Sequence, residues 1–354
     1  MQDCAGVCSP PLPRSIEAAF RDVGSTKSDV RAAAARDVAR HALADAKLRE
    51  RAVQALSAAL EDAAPLVRSA AALGLGELEA KESLPRLLLC VEDENNDVRQ
   101  MALTALGELG DERALPRLRR ALTDERPEVR YQAVIAVARL ASPSEIAEVL
   151  AASLADSDGA VRYIALRVGE ERLVELVKDS PAALPAFAPL VEAAAGLCVE
   201  KGLEPRLVLP AAILLARAGR RDEAARFVRD AVRGALSPIE QEDEQEAVEL
   251  AGELGLSDLV PDLERRAYGA ARLLRDTCVF HATIALARLG HGRAIEQITR
   301  DLTARRGPTR AAAVVAAGRA RLVSLRSVIA SLDDASVDAA LRREALGLLD
   351  EAAP

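Results

Sequence analysis

Apolar positions recur at helical spacing along most of the chain, in pairs of stripes separated by short polar breaks. Between Asn96 and Leu122, Val98, Ala102, Ala105, Leu106 and Leu109 fall on one side of a helix, the three-and-four spacing of a half-buried helix rather than a strand. Gly110-Asp111 ends that stripe, and Leu115, Leu118 and Leu122 form a second one. Neither helix can bury its apolar side alone, so the pair is a packing unit that needs neighbours on both flanks.

The polar breaks repeat as regularly as the stripes. Residues 122–130 read Leu-Thr-Asp-Glu-Arg-Pro-Glu-Val-Arg, and Asp124 precedes Arg130 by six positions. Asp62/Arg68, Asp93/Arg99 and Asp156/Arg162 repeat that spacing, and each Arg follows a Val. The arginines stand 31, 31 and 32 residues apart, the period of a helix pair with two turns. Pro65 and Pro127 fit the first helical position, which needs no amide hydrogen, and Asp97 and Glu128 suit the positive end of the helix dipole. An Arg in the first turn opposes that dipole, and the Asp six residues earlier is the expected partner. These eight residues are read as a structural ladder that fixes the register of neighbouring units.

A unit of this length, with a turn Asp and a following Val-Arg, resembles the HEAT repeats, in particular the short form named after the phycobilisome lyases. The resemblance is closest from about residue 60 to 162; elsewhere Arg31, Arg310 and Arg342 occupy the Arg position, and Val279 fills it where Cys278-Val279 replaces Val-Arg. Outside the central block the Asp partner is missing. The resemblance implies an all-α fold, an α-solenoid (superhelix) of about nine to ten stacked antiparallel helix pairs.

Breaks in the pattern divide the chain. Residues 1–13 read as a flexible leader, 14–170 as regular N-terminal repeats, 171–256 as divergent, enlarged helical units and 257–354 as C-terminal repeats. Pro181, Pro185 and Pro189 interrupt the third segment, and helices are expected over about 186–201, 205–218 and 221–235. Gly219, Gly255 and Gly290 mark unit ends. Two capping boxes, Ser142 to Glu145 and Ser237 to Glu240, are expected to open helices.

Half of the residues are apolar, yet there is no Trp, with four Phe and three Tyr, so the core is built from Ala, Leu and Val. The net charge of −8 argues against general binding to nucleic acid or anionic membrane. It is uneven: residues 1–253 carry −11 and residues 254–354 carry +3. An acidic run occupies Glu240 to Glu246, and nine Arg between Arg288 and Arg326 face Glu296 and Asp301. Five scattered cysteines make neither a disulfide framework nor a zinc pattern. No secretory pattern opens the chain, and no apolar run is expected to reach the roughly 20 residues of a spanning helix. The expected location is cytoplasmic.

Candidate chemistry is sparse. His41, His281 and His291 are each followed by Ala or Gly, whereas deoxyhypusine hydroxylase, an enzyme family of similar helix pairs, holds two irons with repeated His-Glu dipeptides. Phosphate loops, nucleophile elbows and Walker lysines are missing. No catalytic residue, metal or cofactor is expected. The residue after the ladder Arg lies about 200° from the core Val. That position holds Ser69, Gln100, Tyr131, Tyr163 and Phe280. If these helices line the inner curve, as the resemblance implies, Gln100, Tyr131, Tyr163 and Phe280 are partner-binding candidates on the concave face. Arg305, Arg306 and Arg310 form a second, basic candidate site.

The expected function is a non-catalytic scaffold that binds a protein partner; nucleic acid, small molecules and membrane insertion are not expected. The alternative is a bilin or tetrapyrrole lyase-like protein or chaperone, implied by the family resemblance. A HEAT-like DNA glycosylase is a third reading, disfavoured by the lack of Trp and the acidic N-terminal half.

Overall fold

The computed structural model describes residues 14–200, 204–236, 238–269, 277–333 and 337–352. The expected leader, with Cys4 and Cys8, and Ser237 of the second capping box lie outside the described residues. Every regular element among those residues is helical, and the fold is an all-α solenoid. Two compact units divide within one long helix, at Arg172/Leu173, with Pro185–Phe187 also belonging to unit 1.

Unit 1 holds α1 (Ile16–Asp22), α2 (Ser28–Ala44), α3 (Arg49–Ala59), α4 (Pro65–Glu77), α5 (Leu84–Cys90), α6 (Asn96–Leu109), α7 (Leu115–Ala121), α8 (Pro127–Leu140), α9 (Pro143–Ser153) and the start of α10 (Gly159–Asp179). The even-numbered helices carry the Val-Arg turns. α2 packs on α4, α4 on α6 and α6 on α8, while α3, α5 and α7 pack against the helices that follow them. Small residues set the close approach: a Cβ on Gly76 would lie 2.7 Å from Ala105 Cα, and one on Gly107 3.3 Å from Ala136 Cα. The core is the Ala, Leu and Val set expected, with Leu56, Leu75, Leu103, Leu106 and Leu118 fully buried.

Ladder pairing differs from the expectation. Each Arg from Arg31 to Arg130 grips the Asp of the following unit, not the one six residues before it. Arg31 donates to Asp62 through Nε and Nη2 at 2.7 Å each. Arg68 donates to Asp93 at 2.8 and 2.7 Å, Arg99 to Asp124 at 2.9 Å twice and Arg130 to Asp156 at 2.8 and 2.7 Å. The Asp of the same turn contributes its backbone: Nη1 of Arg68, Arg99 and Arg130 donates to the carbonyls of Asp62, Asp93 and Asp124 at 2.9 Å. The geometry explains the choice. Each Asp Oδ1 also accepts the amide two residues on, as from Ala64 at 2.8 Å, which turns the carboxylate toward the preceding unit.

The same shift corrects both ends of the ladder. Asp156, the expected partner of Arg162, is held by Arg130 instead. The hydrogen bond from Arg130 is the main cause that lowers the Asp156 carboxyl, and Arg162, half-buried in the first turn of α10, adds to it through its charge. At the other end Arg31 does have an Asp partner, contrary to expectation. Farther along, Arg310 donates to the Ala304 carbonyl at 2.6 Å and Arg342 to that of Leu332.

Unit 2 holds the end of α10, then α11 (Ala188–Val199), α12 (Pro205–Arg217), α13 (Arg221–Val232), α14 (Gln241–Glu253), α15 (Val260–Tyr268), α16 (Val279–Arg288), α17 (Gly292–Asp301), α18 (Gly307–Arg319), α19 (Arg326–Ala330) and α20 (Ala339–Asp350). The same alternation recurs, α12 on α14, α14 on α16, α16 on α18 and α18 on α20. Gly219, Gly255 and Gly290 adopt the left-handed backbone, φ 87°, 72° and 81°, that ends a helix at low cost.

Two local expectations fail. Ser142 is the N-cap of α9, but its side chain makes no cap hydrogen bond, and Glu145 is drawn off to Arg119. Likewise α14 starts after Glu240, so this acid is the N-cap residue rather than the third residue of the helix. One segment, Pro181–Val199, is long and apolar enough to cross a membrane, with mean hydropathy 1.7, which corrects the expectation that none exists. Its first part is a 3-10 stretch with Pro185 inside, and it buries Phe187, Leu190, Val191, Ala194 and Leu197.

Candidate functional site

In unit 1 the residue after each ladder Arg lies at the boundary between core and solvent. Ser69, Gln100, Tyr131 and Tyr163 are all half-buried, while the Val two positions earlier is buried in each case. The register follows from the helix period: the Val enters the core, and the side chain 200° round must leave it. Leu66, at the head of α4, is 51% exposed beside this row. Farther along the same helices Glu77 and Glu108 are exposed. Burial by neighbouring atoms pushes the Glu108 carboxyl above its usual range, with the negative charge of Glu77 adding to the shift and Arg139 opposing it.

Unit 2 carries the remaining candidates, and its structure treats them differently. Phe280 packs against the apolar core and meets His281 edge-on, with ring centroids 5.6 Å apart. Arg305 and Arg306 are exposed, and Arg310 is half-buried against the Ala304 carbonyl. The basic stretch from Arg288 to Arg326 is not answered by Glu296 and Asp301 alone, as the sequence suggested. Its carboxylates come from other helices: Arg319 reaches Glu249 at 3.1 Å, Arg321 reaches Glu351 at 3.2 Å and Arg326 pairs with Asp350.

The Arg319–Glu249 and Arg321–Glu351 pairs line a groove of about 830 Å³ in unit 2. Its walls come from the end of α10, with Leu173, Val174, Val177 and Lys178, and from α12, α14, α16, α18 and α20. Glu242, Glu246, Glu249 and Glu253 follow one another along α14 at spacings of four, three and four, so one face of that helix is acidic. Glu249 Oε1 lies 2.6 Å from His281 Nδ1 and accepts from Arg319. Arg217 bridges Glu246 and Glu253 at 2.9 and 2.8 Å. Four helices are thereby tied by one network. Sequence reasoning singled out the acidic run and the basic stretch separately and missed that they meet; the periodic Glu face of α14 was the available signal.

The chemistry of these sites is that of charge pairing. Among the described residues, no group of three His, Cys, Asp or Glu side chains could hold a metal ion. The Cys90 and Cys198 thiols are pushed up to about 11, chiefly by burial, which makes them poor nucleophiles. A smaller cavity of about 330 Å³ in unit 1 is lined by ladder residues Asp93, Arg99 and Asp124 and by Glu92, Arg117 and Arg120, which are also ion-paired.

A family model described as HEAT repeats matches residues 84–168, and one described as non-SMC mitotic condensation complex subunit 1 matches residues 29–115. With the stacked helix pairs and the Val-Arg turns, these matches support a HEAT/armadillo-like repeat fold. The X-ray structure of Escherichia coli YibA is similar at 18% identity and a TM-score of 0.52, over 79% of this chain and 93% of that one. The complex of CpcE and CpcF of phycocyanin lyase from Nostoc sp. PCC7120 is similar at 21% identity, over 72% of this chain and 92% of that one, with a TM-score of 0.41. A designed armadillo repeat protein in complex with a (KR)4 peptide is similar at 17% identity, over 58% of this chain and all of that one, with a TM-score of 0.42. No curated protein matches the sequence.

Proposed function

We propose that the protein is a non-catalytic interaction scaffold, located in the cytoplasm, that binds a protein segment along the exposed faces of its Val-Arg helices. The observation that carries this reading is the row Gln100, Tyr131 and Tyr163. These side chains sit at the same register of successive units, half in solvent, on helices whose opposite sides form the core. Tyr offers a large, stiff, amphipathic contact at low entropic cost, which suits a recurring anchor. A repeat fold supports the reading further, because such stacks present extended binding surfaces. The regular block from 14 to 170 would then be the recognition region, and 171–256 the enlarged units that join it to the C-terminal repeats.

The test is co-purification from a lysate of the native host with the wild-type protein and a Tyr131→Ala/Tyr163→Ala variant, analysed by mass spectrometry. A stoichiometric protein lost with the variant supports the scaffold and its face. A partner retained by the variant removes this face from consideration, and a visible absorbance shift on adding a bilin would move the protein to the lyase-like class.

A further inference from the structure

Charge in unit 1 is sorted between its two sets of helices. Apart from the ladder arginines, α4, α6 and α8 carry four carboxylates, Glu77, Asp97, Glu108 and Glu128, and one cation, Arg139. By contrast, α3, α5 and α7 carry six arginines and one acid, Glu50. Arginines of the second set are answered, Arg86 by Glu61 at 3.9 Å, Arg119 by Glu145, and Arg117 and Arg120 by Glu92. The four carboxylates are all exposed, and none of them forms an ion pair among the described residues.

Two of the four stand where a helix least favours them. Asp97 and Glu128 occupy first turns, next to the positive end of the dipole. Glu77 and Glu108 occupy the last turns of α4 and α6, next to the negative end. A Cβ on Gly76 would lie 2.6 Å from Glu108 Oε2, so the Glu108 carboxylate reaches over α4 at the residue before Glu77. Burial raises the Glu108 carboxyl above its usual range and the charge of Glu77 adds to this, against the pull of Arg139. Two like charges at two negative helix ends are unfavourable in the free protein, and an incoming cation relieves both.

Between these acids the face is apolar. At about 100° per residue, the registers of Asp97 and Glu128, of Tyr131, of Leu73 and Ile135, and of Glu77 and Glu108 fall within about 80° of arc. Leu73, Tyr131 and Ile135 are half-buried, and Leu66 is 51% exposed. Because α4 packs on α6 and α6 on α8, the face is continuous, with acids along both rims and aliphatic and aromatic side chains between them. An acidic segment is repelled there, and a purely apolar one would desolvate the rim carboxylates without answering them. A segment that mixes bases with aliphatic side chains meets both parts.

We propose that the exposed face of α4, α6 and α8 takes a basic, amphipathic segment of a partner protein, with a Lys or Arg of that segment set between Glu77 and Glu108 and its aliphatic side chains on Leu73, Tyr131 and Ile135. This inference rests on the scaffold reading and names the chemistry of the segment bound at that face.

The experiment uses the full chain and end-labelled nonapeptides with Leu at positions 2 and 8, Arg, Gln or Glu at positions 4 and 6, and Ser elsewhere, read by fluorescence anisotropy at about 0.15 M salt. On an extended segment these four positions share one side, and the two Leu stand about 20 Å apart, which matches two helix spacings. The wild type should bind the Arg peptide at least about tenfold more tightly than the Gln peptide. Replacing both Leu by Ser should weaken the Arg peptide at least about fivefold. Neither comparison alters the protein, so misfolding cannot produce it. Glu77→Gln/Glu108→Gln removes charges that disfavour their helix ends, so it should fold and should lose the Arg preference. Glu242→Gln/Glu344→Gln makes the same change of net charge on exposed acids of unit 2 and should keep it. Equal binding of Arg and Gln peptides, preference for Glu, no binding by any peptide, or an Arg preference that survives Glu77→Gln/Glu108→Gln or is lost equally in Glu242→Gln/Glu344→Gln would each overturn the proposal. Concentration-dependent dimerisation abolished by Glu77→Gln/Glu108→Gln would assign the face to a second copy and overturn it too. A partner whose capture needs Tyr131 and Tyr163 but not Glu77 and Glu108 would sink this inference and leave the scaffold reading standing.

Discussion

Arg99 holds Asp124 with two hydrogen bonds of 2.9 Å although the two residues belong to successive units. Both side chains are largely buried, 11% and 14% exposed, and Arg99 also donates to the Asp93 carbonyl of its own turn. One guanidinium thus couples two turns. Removing either partner leaves a buried charge uncompensated. Asp124→Asn should destabilise unit 1 by about 3 kcal/mol. Glu92→Gln, which loses half-exposed pairs with Arg117 and Arg120, should cost under about 1 kcal/mol. Urea unfolding followed by circular dichroism separates the two, and equal effects would mean that the ladder does not couple the units.

The ladder also sets the acid limit of stability. Asp62 and Asp156 are held below the usual carboxylate range, first by the hydrogen bonds from Arg31 and Arg130, against the opposing effect of burial. A depressed folded value means that the unfolded chain takes up the proton first. The stabilisation is therefore present above about pH 3.9, the unfolded Asp value, and is lost as pH falls below it through the folded value. Urea midpoints measured from pH 6 to pH 2 should drop below pH 4, and the drop should be shallower in Asp62→Asn/Asp156→Asn. An unchanged slope in that variant would contradict the assignment.

Close helix packing predicts opposite outcomes for two glycine substitutions. A Cβ on Gly76 would stand 2.7 Å from Ala105 Cα, so Gly76→Ala must push α4 from α6 and should cost about 1 to 3 kcal/mol. At Gly196, inside α11, no atom beyond its own stretch of helix lies within 4 Å of the added Cβ, so Gly196→Ala should stabilise by about 0.5 to 1 kcal/mol. Thermal unfolding of both variants checks the pair of signs.

Cysteine reactivity offers a fourth check. With thiols raised to about 11 by burial, Cys90 and Cys198 should label slowly with a thiol reagent at pH 8 in the native protein and quickly in urea. Mass mapping of the labelled sites assigns each thiol, and fast native labelling of Cys90 would contradict its burial.

The repeat was legible because its signals are local. The Val-Arg turn, the first-turn prolines Pro65 and Pro127 and the helix-ending glycines act within a few residues of where they stand. The ladder was half legible: its residues and its role between units could be read, but not the pairing, because Asp124 serves Arg99, 25 residues earlier, and Asp156 serves Arg130 rather than Arg162, while the Asp six residues before each Arg suggested a pair inside the turn. Side chains with competing partners were misread for the same reason, as Glu145 shows by pairing with Arg119 instead of closing a capping box. The groove was the hardest feature to see. Its acidic face on α14 was written in the spacing, but Arg319 comes to Glu249 from 70 residues away, and only the stacking of whole units brings such residues together.

The most direct test of the scaffold reading is hydrogen–deuterium exchange on the protein with and without its co-purified partner. The account predicts added protection in α6 and α8, over Asn96–Leu109 and Pro127–Leu140, where Gln100 and Tyr131 lie. Protection confined to α5 and α7, over Leu84–Cys90 and Leu115–Ala121, would contradict it.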